Sequence, residues 1–166
     1  MIAGRRTSAP AQLFDLTVII ASAVLIGSLF MTWYQFGMSF PTSSGTFAGI
    51  SITALGGLAG GWRFAILAFA IATIVEVALS LGLTRASGNV EWPHRTLLAM
   101  LCLVDLVLVL AAFFTYPGAL GPAGAVYYGL IGTSRGGGAY LGLVAALVAC
   151  GAAGARLLSE PSTFRR

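Results

Sequence analysis

Four stretches of about twenty residues each are almost wholly apolar: about Phe14 to Phe36, Trp62 to Leu83, Thr96 to Tyr116 and Gly138 to Leu158. A helix rises about 1.5 Å per residue, so each stretch can cross a hydrocarbon layer ~30 Å thick. Short links rich in Gly, Pro and polar residues separate the four, and no stretch is left over for a soluble domain. The expected fold is all-α, a four-transmembrane-helix bundle forming one domain over residues 1–166.

Composition agrees with that solvent. The chain is 58% hydrophobic and 8% charged, whereas a soluble domain carries about 25% charged residues and needs them to cover its surface. The lipid bilayer is therefore the first expected partner. All nine basic residues are Arg and none is Lys, a bias typical of GC-rich genomes. They are scattered at segment ends rather than gathered on one face, which argues against nucleic acid despite the net charge of +4. Arg5 and Arg6 before an apolar run resemble the start of a signal peptide. No small-residue cleavage site follows, and the run continues into Trp33 and Tyr34, so it reads as a retained first helix.

The arginines also set orientation. With the N-terminus inside, the inner side holds Arg5, Arg6, Arg85, Arg95, Arg156, Arg165 and Arg166, and the outer side only Arg63 and Arg135. That bias predicts a multi-pass protein of the bacterial inner (cytoplasmic) membrane with both termini cytoplasmic. Trp33, Tyr34, Trp62, Tyr116, Tyr127 and Tyr128 then form an outer aromatic belt, with Trp92 near the inner interface.

The two hairpins resemble each other. The first span ends "LFMTWY" and the third "AFFTYP"; re-entry runs through "GGWRFAIL" in one case and "RGGGAYLGL" in the other. Tandem hairpins related by a pseudo-twofold along the membrane normal would give this pattern, and so would any two hairpins with aromatic belts and Gly-rich re-entry loops. The "TWY" exit and the "RGGGAYLGL" segment resemble those of uncharacterised four-helix integral membrane proteins of actinobacteria. That resemblance implies an integral membrane protein and supplies no catalytic residue.

In lipid, helices associate mainly through close van der Waals packing. Gly138, Gly142, Ala146, Cys150 and Gly154 recur every four residues and read as a helix-packing ridge, against a neighbour in the same chain or in another protomer. Cys102 and Cys150 lie at similar depth and read as reduced packing residues. The one histidine, His94, is in the inner loop, so neither a metal nor a cofactor is expected, and no catalytic set is present. An enzyme is not expected.

Two carboxylates stand well inside their spans, Glu76 and Asp105. A central charge costs ~2.5–3.5 kcal/mol on insertion scales, and burial with mutual repulsion should leave at least one of them protonated. Thr73, Glu76, Ser80 and Thr84 make a polar stripe at helical spacing, whereas Asp105 has apolar neighbours on its own helix. The carboxyls could be hydrogen-bonding pegs between helices, a proton or cation relay, or partners for a basic residue on another protein's helix. Arg63 and Arg135 occupy matching re-entry positions and read as interfacial anchors, or as contacts for a lipid phosphate or anionic ligand. The expected function is a structural or accessory membrane subunit that packs against itself, as a homo-oligomer, or against membrane-protein partners. The alternative is a small transporter or channel with an intramembrane carboxylate site at Glu76 and Asp105.

Overall fold

The side chains that point away from the helices are the most apolar ones. The computed structural model describes residues 9–38, 48–57, 62–87, 94–114 and 132–159, and its long helices are α1 (Ala9–Ser28), α3 (Trp62–Ser87), α4 (His94–Phe114) and α5 (Gly137–Ser159). Leu13, Leu16, Ile20 and Val24 on α1, Ile71, Val75 and Leu79 on α3, Met100, Leu103 and Val107 on α4, and Leu141, Val144 and Leu147 on α5 are all exposed. Their spacing of three or four residues places each set on one outer face. Inside, beside larger residues such as Leu25, Trp33 and Ile66, are many alanines and glycines together with buried Asp15, Ser22, Ser28, Thr73, Ser80, Asp105 and Arg156. A chain folding in water does not cover its surface with rows of large aliphatic side chains and bury its charges. Three helices (α3, α4 and α5) are long and apolar enough to cross a membrane; the apolar part of α1, Gln12–Ser28, is shorter.

Each long helix packs on two others. α1 lies against α3 and α5, and α4 lies against α3 and α5, so the four close into a ring with the first and last helices in contact. Two apolar clusters fill it. One surrounds Leu25, Leu29, Trp33, Ile66, Val109 and Ala139 at the end where α1 and α4 finish. The other surrounds Val18, Val77, Leu98, Cys102 and Ala153 at the opposite end.

A three-stranded antiparallel sheet caps the first of these ends, an element absent from the all-helical expectation. β1 (Thr32–Met38) is its centre, flanked by β2 (Ala48–Thr53) and β3 (Gly132–Arg135). The one-turn α2 (Ala54–Gly57) follows β2. The first span, expected to run helical to Phe36, stops at Ser28. Three i→i−3 bonds, from the amides of Leu29, Phe30 and Met31 to the carbonyls of Ile26, Gly27 and Ser28, tighten its last turn. Thr32 to Phe36 are β-branched or aromatic except for Gln35, a composition that fits a pleated surface better than a helix. Their partner, Gly49 to Thr53, alternates apolar and polar.

The sheet also corrects the aromatic belt. Register advances two residues on β1, from Thr32 to Tyr34, for one on β2, from Thr53 to Ile52. The extra residue is Trp33. A bulge of this kind breaks strand alternation and re-aims a side chain, and here successive residues both turn inward: Trp33 is 0% and Tyr34 2% exposed. Their polar atoms are satisfied by backbone. Trp33 Nε1–H donates to the Ser28 carbonyl at 2.7 Å, and the Tyr34 hydroxyl donates to the Ala112 carbonyl at 2.7 Å. Both rings belong to the core. Trp92, Tyr116, Tyr127 and Tyr128 lie outside the described residues.

The small residues of α5 make room for that core. A Cβ at Gly138 would stand 2.8 Å from Trp33 Cδ1, and one at Gly142 would stand 2.7 Å from Ser28 Oγ and 2.9 Å from Trp33 Cζ2. Gly138, Gly142 and Ala146 are buried, whereas Cys150 and Gly154 are half-buried and a Cβ at Gly154 meets nothing within 4 Å. Steps of four residues advance about 40° around a helix of about 3.6 residues per turn. A four-residue stripe therefore drifts off the contact, and the buried line continues through Ala149, Ala153 and Arg156 instead.

This packing predicts a contrast among glycines. Gly142→Val should destabilise the protein by ~1–3 kcal/mol through overpacking. Gly154→Ala and Gly151→Ala, with open space at the new Cβ, should be neutral or stabilise by up to about 1 kcal/mol through helix propensity. Thermal unfolding of the three variants in one detergent checks it; equal melting temperatures would contradict the slot for Trp33.

Candidate functional site

Between the two apolar clusters runs a polar layer. On α1, Ser22 falls between Leu25 of one cluster and Ala21 of the other. On α3, Thr73 falls between Ala70 and Val77, and on α4 Asp105 falls between Val109 and Cys102. All three are buried. α5 passes the same level with Ala146 and Ala149, both buried, so three helices supply a polar group and the fourth supplies space.

Asp105 is 4% exposed, and its Oδ1 has no hydrogen-bond partner. The Cys102 thiol, one turn away on α4, interacts with Asp105, with Thr73 from α3 and with Cys150 from α5. The Thr73 hydroxyl donates to the Phe69 carbonyl of its own helix at 2.9 Å, the usual recourse of a threonine inside an apolar helix. Both cysteines are free thiols. Among the described residues no group of three His, Cys, Asp or Glu side chains could hold a metal ion.

The polar stripe expected on α3 divides. Thr73 and Ser80 are buried, and Glu76 is half-buried at the edge of their face with interactions of its own. The more enclosed carboxylate is Asp105.

At the opposite end of the interior lies a pair that sequence reasoning missed. Arg156 Nη1 donates to Asp15 Oδ1, joining α5 to α1, and both side chains are nine-tenths or more buried. Arg95, in the first turn of α4, adds its charge to the field at Asp15. The Ser159 hydroxyl donates to the Arg156 carbonyl at 3.0 Å. Arg156 Nε has no partner. Arg156 entered the sequence reading only as a marker of orientation and Asp15 did not enter at all. The available signal was two opposite charges, each near one end of an apolar helix.

At the sheet end, Arg135 closes β3 with its guanidinium 5.1 Å from the centre of the Tyr34 ring and 5.7 Å from that of Phe113. Phe113 meets Tyr140 edge-on at 5.5 Å. Cation–π contact on two rings, worth about 0.5–1 kcal/mol at an exposed site and more when desolvated, anchors this arginine to the core. Arg63 stands in the first turn of α3; its side chain lies outside the described residues.

The buried ion pair generates an expectation of its own. Asp15→Leu or Arg156→Leu alone should cost ~3–5 kcal/mol, because each leaves an unsatisfied buried charge, while the two together should recover most of that loss. A double-mutant cycle by thermal unfolding in detergent measures it; additive losses would show that the two residues do not interact. No protein-family model, no curated protein and no solved structure matches this chain.

Proposed function

We propose that this chain is a multi-pass protein of the bacterial inner membrane that acts as a structural or accessory subunit, packing against a second copy or against another membrane protein. The observation that carries the reading is an open apolar groove of about 270 Å³ between α1 and α5, lined by Ile20, Val24, Leu141, Val144 and Val148 among others. It faces outward, toward the hydrocarbon. The tightest small residues of α5, Gly138 and Gly142, are committed to Trp33 and Ser28 of the same chain, so a partner would dock on this outer groove and leave the inner slot untouched. Gly142→Leu would thus damage the fold before it damaged an assembly.

Two finer features belong to the same proposal. Both termini are cytoplasmic, supported by the arginine bias; Arg156 is neutralised by Asp15, and the remaining inner arginines still outnumber the outer two. The chain consists of two tandem hairpins, α1 with α3 and α4 with α5. A twofold exchanging them would map the α1–α5 contact onto α4–α3, and both contacts occur. The transporter or channel reading, with a carboxylate site at Glu76 and Asp105, keeps one supporting observation, the unpartnered oxygen of Asp105. A proteoliposome ion flux lost in Glu76→Gln or Asp105→Asn would establish it.

A photo-crosslinking residue at Val144, in the groove, should give a discrete adduct with this chain or another membrane protein in intact cells, and one at Met100 should give little. Lipid adducts alone at both positions would defeat the accessory-subunit reading. With Cys102 and Cys150 replaced, single cysteines at Ser43 and Ser134 should react with an impermeant maleimide in intact cells, and those at Ser87 and Ser162 should not. The opposite pattern would invert the topology.

A further inference from the structure

We propose that Asp105 is a proton-binding carboxyl at the centre of the helical interior, occupied by its proton in the resting protein. Two independent observations meet at this residue. The side chain is 4% exposed, so water does not solvate it. Its Oδ1 has no donor, so the protein does not solvate that oxygen either. An ionised carboxylate is an acceptor-only group and is stable inside a protein only where donors or a cation surround it.

The polar groups at its level are few. α3 carries Thr73, whose hydroxyl donates to Phe69 O, and half-buried Glu76, a further acid; α1 carries buried Ser22; α4 itself carries Cys102 and α5 carries Cys150, both free thiols. None of them donates to Oδ1. Arg156, the buried cation among the described residues, is held by Asp15 near the other end of the interior. A metal ion would need several ligands, and no suitable group of three occurs among the described residues. A proton needs one oxygen. With it, Asp105 becomes a neutral acid that carries its own donor. The inference is independent of whether the chain only packs against partners or also moves ions, because it concerns the resting occupant of the site.

The test uses the full chain in proteoliposomes at neutral pH with dicyclohexylcarbodiimide. This reagent adds to a carboxylic acid: the carboxyl oxygen bonds to the central carbon of the carbodiimide while the acid proton moves to nitrogen. The acyl group then migrates from oxygen to nitrogen, leaving a stable N-acylurea that retains every atom of the reagent. Tandem mass spectrometry should place the adduct on Asp105, with loss of the labelling in Asp105→Asn and retention in Glu76→Gln. Infrared spectroscopy reads the same proton where packing excludes the reagent: the wild type should show a protonated-carboxyl carbonyl band that Asp105→Asn removes and Glu76→Gln keeps. Absence of that band, its persistence in Asp105→Asn, or an adduct confined to Glu76 would overturn the proposal. So would protection of Asp105 by sodium but not by choline at equal ionic strength, which would make the occupant a metal cation.

Discussion

The seat of the Trp33 indole is the constraint from which the rest of the arrangement follows. Where the surroundings are hydrocarbon, aliphatic side chains gain little by turning inward, and cohesion has to come from close contact and from hydrogen bonds. Trp33 supplies both. Its ring fills the space that Gly138 and Gly142 leave open, and its Nε1–H joins the Met31 amide on the Ser28 carbonyl at the end of α1. Placing that ring requires the chain to leave α1 at Ser28, turn through Leu29 to Met31 and enter a strand with a bulge at Trp33. The sheet, the short first helix and the glycines of α5 are thus parts of one solution.

The polar interior follows a related logic. In a soluble protein a buried Asp–Arg pair is poor evidence for stability, since apolar replacements often do as well. Here the alternative environment is hydrocarbon, where either charge alone is worse placed. The Asp15–Arg156 pair joins the two helices that close the ring, and its geometry fixes how they align. The layer of Ser22, Thr73 and Asp105 specifies register in a weaker way. Polar side chains at one level on three helices cannot slide a turn without meeting an apolar cluster.

Much of this was legible in the sequence, and the failures have physical reasons. Apolar runs of about twenty residues locate helices, because in lipid the backbone must satisfy itself within one element. The end of α1 was misplaced because Trp33, Tyr34 and Phe36 look like a continuation of the apolar run, although Thr32 to Phe36 favour a strand. The alternation of Gly49 to Thr53 was a readable sign of a strand partner. The four-residue ridge on α5 pointed to the right helix; its first part, through Ala146, lies in the contact, and Cys150 and Gly154 have rotated out by helix geometry. Asp105 stood out at once as a carboxylate within an apolar run. The pairing of Asp15 with Arg156 was harder, since it joins residues 141 positions apart and depends on which helices touch, which no local pattern encodes.

That separation has a consequence in time. Chains are made from the N-terminus at about 5–20 residues per second, so α1 exists with its aspartate before the helix that carries the matching arginine has been synthesised. Until α5 arrives, the contact face of α1 is open, Asp15 has no buried counter-charge from Arg156, and Trp33 has no slot to enter. The ring can be completed only by its last helix. A nascent or truncated product lacking α5 would therefore display an unpaired acid on an unfinished surface, a mark by which quality control could separate incomplete copies from finished ones.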